Sequence, residues 1–176
     1  MYLISLYFDK KTNQRIQQYM NQLAKKAGNT AMIDGQVPPH ITISAFETKQ
    51  EDEVIERFKR TALELQSGTI QWVSVGTFLP SVLYIAPVLN EYLHTLSEQI
   101  YDSIANMEDM TIRPCYLPLQ WMPHTTIGKK LSREEMLMAF QMMQNQFGVF
   151  SGKAVKIGLA KTNPYRDLVV VDWQEM

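Results

Sequence analysis

Cysteine is nearly missing from this chain of 176 residues, where Cys115 stands alone. One thiol makes neither an intramolecular disulfide nor a cysteine-based zinc site, which points to a reducing, intracellular compartment. A surplus of cations is also lacking. The 17 Lys and Arg are balanced by 18 Asp and Glu, for a formal charge of -1. Proteins that ride on nucleic-acid phosphates by bulk charge carry a basic excess, so binding to bulk double-stranded nucleic acid is not expected, though a local basic pocket is compatible. No hydrophobic run approaches the roughly 20 residues that span a bilayer. The opening MYLISLYFDKK is apolar over too few residues and carries no basic leader, unlike a signal peptide. These absences predict a cytoplasmic protein with no membrane partner. Histidine is scarce too. There are three, and where two of them fall is the most informative feature of the sequence.

What is present suits a folded domain: 45% hydrophobic and 20% charged residues. Alternation and β-branched content predict strands at 2–8, 40–46, 69–78, 82–88, 124–131, 152–162 and 166–173. Helical spacing predicts helices over 12–28, 50–65, 89–107 and 132–147. The last of these opens on a Ser132-x-x-Glu135 capping box. The stretches NTAMIDGQVPP and EDMTIRPCYLPLQWMP read as loops, and NPY as the turn between the last two strands. The order strand, helix, Pro-rich loop, strand, helix, strand occurs twice. The expected fold is α+β and bilobal: two mostly antiparallel sheets, flanked by helices, in a pseudo-twofold arrangement around a central cleft. The whole chain is expected to form a single domain, with lobes from about 1–80 and 81–176, either separate or with exchanged strands.

The strand that opens each second half carries the same short motif. QVPPHITISAF holds Pro39, His40 and Thr42; QWMPHTTIGKK holds Pro123, His124 and Thr126. On a strand, residues two apart share a face. His40 and Thr42 therefore project together, as do His124 and Thr126, and a pseudo-twofold relation brings both pairs to one cleft. Two imidazoles that titrate near neutrality supply a base and an acid at once. The threonine hydroxyls are donors for non-bridging phosphate oxygens. That set suits attack on a phosphodiester without a metal or other cofactor. The proline before each histidine fits strand entry.

These residues resemble the two-histidine phosphoesterase superfamily, also called 2′-5′ RNA ligase-like, whose signature is His-x-(Thr or Ser)-x once in each lobe. HITI and HTTI both match, and the strand and helix order is similar over almost the whole chain. The resemblance implies a bilobal fold around a cleft and a cyclic phosphodiesterase or related phosphoesterase acting on cyclic phosphates, nucleotides or RNA ends. It makes His40 and His124 the acid–base pair, and Thr42 and Thr126 the phosphate binders. Many family members carry an arginine after the second motif. Here GKKLSREEM offers Lys129, Lys130 and Arg133 but no clear equivalent of it, which favours a hydrolase or cyclising esterase over 2′-5′ RNA ligase activity.

Beyond the motif, Tyr165 and Arg166 are candidates to stack on a base and pair with phosphate. Lys129 is a further candidate cation. Trp121 is a candidate base-stacking wall or a buried packing residue. Phe46 is in even step with His40 and so a candidate for the same face, or for the core. His94 and the methionines of the 132–147 helix read as structural, and Cys115 has no catalytic neighbour in sequence. A non-catalytic nucleotide- or RNA-binding module in the same cleft is the alternative function. A zinc site is disfavoured, because catalytic zinc takes three protein ligands and the motifs offer two histidines.

Overall fold

The computed structural model describes residues 1–162 and 165–173. Along them run β1 (Tyr2–Phe8), α1 (Lys10–Ala27), α2 (Ala31–Asp34), β2 (His40–Glu47), α3 (Glu51–Glu64), β3 (Gly68–Phe78) and β4 (Val82–Pro87). The second part gives α4 (Glu91–Ile104), β5 (Thr111–Ile112), β6 (Thr125–Gly128), α5 (Arg133–Gln146), β7 (Phe150–Lys161) and β8 (Arg166–Asp172). α2, β5 and a single 3₁₀ turn at Pro114–Tyr116 depart from the expected element order. Each lies in a stretch expected to be a loop, and each is too short for a period to show. Asn163 and Pro164 of the expected NPY turn lie outside the described residues.

The ends of the helices follow from side-chain chemistry. Asp9 caps α1 by accepting from Thr12 N at 2.9 Å, and Gly28 ends it at φ 74°, where a residue without Cβ is at ease. The Ser132–Glu135 capping box of α5 is closed in both directions.

Among the described residues the eight strands form one open antiparallel sheet in the order β5-β2-β1-β7-β3-β4-β6, with β8 also on β7. The two sheets expected are thus halves of one. The 12-residue β7 joins them: Ala154 pairs with Phe8 on one edge and Gly68 on the other. The central order reads the same from either end if β2, β1 and β7 are exchanged with β6, β4 and β3. β3 of the first half therefore pairs with β4, the first strand of the second, and β7 of the second half pairs with β1, the first strand of the first. The register repeats as well. Gly158 pairs with Ser5, and Gly76 with Tyr84. Each glycine is where a tyrosine ring lies against the sheet: an added Cβ would come 2.5 Å from Tyr84 at Gly76, and 2.9 Å from Tyr7 at Gly158.

Helices exchange in the same way. α1 packs with α5 against β6, while α4 packs with α3 against β2. Each motif strand is thus backed by a helix from the other half. The apolar stripes of these helices supply the core: Ile16, Met20 and Leu23 from α1, Leu93, Leu96 and Ile100 from α4, all under 3% exposed. Among the described residues no helix is long and apolar enough to cross a membrane.

Candidate active site

The two motif strands begin alike. Pro39 and Pro123 hold the residue before them extended, because a proline ring excludes the helical region for its predecessor. The carbonyl of that residue then faces the imidazole two positions on. His40 Nδ1 lies 2.8 Å from Pro38 O, and His124 Nδ1 lies 3.0 Å from Met122 O. A carbonyl only accepts, so Nδ1 carries the proton in both rings. Nε2 is left with its lone pair in the neutral form, and among the described residues nothing bonds it.

Alternation then sorts the side chains as the motif implies. Ile41, Ile43, Thr125 and Ile127 are buried, while His40, Thr42, His124 and Thr126 are half-buried. Thr125 is not wasted in the interior, since its hydroxyl accepts from Trp72 Nε1 at 3.2 Å.

A β-bulge follows directly. Thr42 pairs with Ser5 but Ser44 with Ile4, so Ile43 is the extra residue; Thr126 pairs with Tyr84 but Gly128 with Leu83, so Ile127 is extra. A bulge reverses which face later residues occupy. This decides between the two places open to Phe46. Counting by twos puts it beside His40, but past the bulge it faces the core, 0% exposed and stacked on Tyr2.

The motifs meet. β2 and β6 come within 8 Å at Cα although they lie near opposite ends of the strand order. His40 and Thr126 line one pocket of about 220 Å³ together with Ser5, Tyr7, Lys129 and Tyr165. His124 lines a second pocket, of about 500 Å³, that shares no lining residue with the first. Loops lock the two halves at this seam. Trp121 Nε1, from the loop before the second motif, donates to Thr42 O of the first at 3.0 Å. Asn29, from the loop before the first motif, donates to Lys130 O at 3.3 Å.

Burial depresses the affinity of both rings for a proton. For His40 the positive charges of His124 and Lys129 act in the same direction, and only the Pro38 carbonyl opposes them. For His124 burial again dominates over the Met122 carbonyl. Their neighbours differ. Tyr7 tilts over His40 at 6.4 Å between ring centres. Phe78 meets His124 edge-on at 4.8 Å, with Tyr84 at 5.5 Å. Thr42 Oγ1 is 3.4 Å from Ser5 Oγ.

The remaining candidates divide. Lys129 and Tyr165 line the His40 pocket, where Tyr165 and Tyr7 share a 3.2 Å hydroxyl contact and Tyr165 donates to Asp167 at 2.8 Å. Trp121 is 5% exposed and forms a wall of the His124 pocket. Arg166 does not line the cleft: its guanidinium pairs with Glu51 at 3.2 Å, beside Lys161 and Tyr2 on the face covered by α3. Ser5, Tyr7, Phe78, Tyr84 and Tyr116 are site neighbours that the sequence reading did not single out. Tyr7 was within reach, since β1 alternates and Tyr7 pairs with His40. Among the described residues no three His, Cys, Asp or Glu side chains are grouped to hold a metal ion.

A family model described as the 2′-5′ RNA ligase superfamily matches residues 8–164. Comparison with curated proteins returns no match. Solved structures share the fold. LigT of E. coli complexed with 3′-AMP is 12% identical, covering 97% of this chain and 95% of its own, with a TM-score of 0.59. TT0787 of Thermus thermophilus is 12% identical, with coverage of 98% and 97% and a TM-score of 0.62. The PDE domain of MHV ns2 is 16% identical, with coverage of 97% and 98% and a TM-score of 0.55.

Proposed function

Because the chain belongs to the 2′-5′ RNA ligase superfamily, we propose that its cleft is the active site of a metal-independent phosphoesterase acting on cyclic phosphates or on the phosphodiester ends of nucleotides and RNA. The observation that carries this reading is the matched pair of imidazoles, each with Nδ1 tied to a backbone carbonyl and Nε2 open to the cleft. Structures of LigT with 3′-AMP, ATP and NADP+ support a nucleotide as the bound class.

In the reaction water attacks phosphorus as the bond to a ribose oxygen breaks. His40 Nε2 takes the proton of the attacking water, and His124 Nε2–H gives one to the departing oxygen. One water is consumed, and the product is a monoester. The assignment follows from charge. Lys129 and His124 both oppose a proton on His40, so His40 is the ring kept neutral for the base role. The anionic phosphate between the rings then favours the proton on His124. Thr42 and Thr126 hydroxyls donate to the non-bridging oxygens, and Lys129 offsets their charge.

The test is turnover of nucleoside 2′,3′-cyclic phosphates and of RNA bearing a cyclic phosphate end, with chelator present throughout. Wild type should hydrolyse at least one of them, and His40→Ala and His124→Ala should not. Tight binding with no turnover, equal in both variants, would instead indicate a binding module.

A further inference from the structure

A short hydrogen-bonded chain ends in the His40 pocket. Tyr165 donates to Asp167 Oδ1 at 2.8 Å, and its hydroxyl lies 3.2 Å from that of Tyr7. Burial raises both phenols above their ordinary value, so each keeps its single proton. A carboxylate only accepts, so the Tyr165 proton is committed to Asp167. Tyr165 then meets Tyr7 with a lone pair, and Tyr7 is the donor of that contact. The direction of the chain is thereby fixed: Tyr7 gives to Tyr165, and Tyr165 gives to Asp167. What remains on the Tyr7 oxygen is acceptor capacity alone, and among the described residues nothing else bonds it.

An acceptor is out of place beside a phosphate. Thr126 and Lys129 bring donors to the same pocket, as phosphate oxygens require. A lone pair next to them repels those oxygens and suits a hydrogen of the nucleophile instead. Tyr7 is also placed for that. It pairs with His40 across β1 and β2, so both side chains leave the same face of the sheet. Their rings lie 6.4 Å apart between centres and line one pocket. Leu3, Met32, Val37 and Ala160 make much of the remaining lining apolar, so an acceptor left unmet there is costly.

We propose that Tyr7 holds the attacking water for His40 and selects water over an alcohol as the nucleophile. Tyr165 and Asp167 are positioning residues that turn the Tyr7 lone pairs to the pocket. Water has two hydrogens. One passes to His40 Nε2 as the water oxygen bonds phosphorus, while the bond to the ribose oxygen breaks and His124 protonates that oxygen. The other stays on the attacking oxygen, bonded to Tyr7, and leaves as the P–OH of the monoester. An alcohol has one hydrogen, and His40 takes it. Its carbon then faces the Tyr7 oxygen and leaves that acceptor unmet. The inference rests on the phosphoesterase reading and adds a preference to it: hydrolysis over transfer to a hydroxyl, the step that ligation needs.

Partition between nucleophiles tests this. A nucleoside 2′,3′-cyclic phosphate would be turned over in water–methanol mixtures, and the initial ratio of monoester to methyl diester measured. That ratio should fall at least about 5-fold in Tyr7→Phe, the lower end for leaving one buried acceptor unpaired in the wild type. Tyr165→Phe, which frees the Tyr7 proton, should lower it as well. A purely structural tyrosine would slow both products together, and an unmoved ratio would overturn the inference. A second measurement needs no turnover. Tyr7→Phe should bind adenosine 3′-phosphate as tightly as wild type, because Tyr7 gives the phosphate no hydrogen, whereas Thr126→Val should bind it more weakly. Affinity lost in Tyr7→Phe would make Tyr7 a phosphate donor and reverse the chain. Failure of the wild type to turn over any phosphodiester would remove the phosphoesterase reading and the relay with it. Turnover with an unmoved ratio would remove the relay alone.

Discussion

His40 is held by its own chain: Nδ1 lies 2.8 Å from the carbonyl oxygen of Pro38, and the intervening Pro39 fixes that carbonyl's direction. His124 and Met122 repeat the contact at 3.0 Å. The repeat explains why each motif starts with proline. It sets tautomer and ring orientation without a carboxylate partner, so both rings stay easy to deprotonate and neither Nε2 is taken up by the carbonyl contact.

The two histidines should fail differently. His40→Ala removes the base and should lower kcat by about 10²–10⁴-fold on every substrate. His124→Ala removes the acid and should lose a similar factor on ribose-leaving substrates, yet recover much of it on a diester with a nitrophenolate leaving group, which needs no proton. Rates on the two substrate types check this; rescue of His40→Ala instead would reverse the assignment.

Activity should persist on the acid side of neutrality. The base works only when neutral, and burial together with His124 and Lys129 lowers the His40 pKa below its ordinary 6.5. The acid limb of the kcat/KM profile should therefore fall below pH 6.5. Lys129→Met removes one of those cations, so the limb should move to higher pH. A profile that moves the other way would mean Lys129 acts elsewhere.

Stability should decline on mild acidification. Both cleft histidines bind protons less readily when folded than when unfolded. Between the depressed folded values and 6.5 the unfolded chain therefore takes up more protons, and stability falls as pH drops through that window. Asp9, Glu51 and Glu135 are lowered below 3.8 or 4.5, and their contribution is lost only at more acid pH. Denaturant midpoints for wild type and for a His40→Asn/His124→Asn double variant should differ in slope between pH 7.5 and 5, with the variant flatter.

Gly76→Ala should damage both fold and site. The new Cβ would sit 2.5 Å from the Tyr84 ring, which packs on Phe78 at 4.4 Å and on His124 at 5.5 Å. Overpacking of this kind costs about 1–3 kcal/mol. A lower melting temperature together with reduced kcat is expected. Gly28→Ala, strained only by its φ of 74° in open space, should lower the melting temperature and leave kcat alone.

Trp121→Phe keeps a large ring but loses the 3.0 Å bond to Thr42 O. A hydrogen bond of this kind contributes about 0.5–1.5 kcal/mol. Because it ties the loop of the second motif to the strand of the first, kcat should fall more than that small loss of stability suggests. A kcat unchanged within error would make the bond purely structural.

Much of this was readable in the residues. Period-two runs and helical stripes located every long element, because each has one face against the core and burial repeats with the pitch. The duplicated Pro-His-x-Thr marked its four side chains, because alternation alone decides which of them share a face. What the residues left open was local. Phe46 is in step with His40 by count, but the bulge at Ile43 reverses the step, and nothing in ITISAF announces an extra residue. Arg166 looked available for phosphate until its partner emerged as Glu51, 115 positions away in the chain.

The sequence alone determined the elements, the doubled motif and the chemistry that two imidazoles permit, since all three depend on side-chain type and short-range spacing. Only the tertiary structure decided that β7 joins both halves into one sheet, that the motif strands approach each other, and that His40 and His124 line different pockets, the first with Lys129 in its wall. Those outcomes depend on which distant strands pair and which loops cross the seam. The pairing free energy comes from contacts that no local stretch of the chain contains.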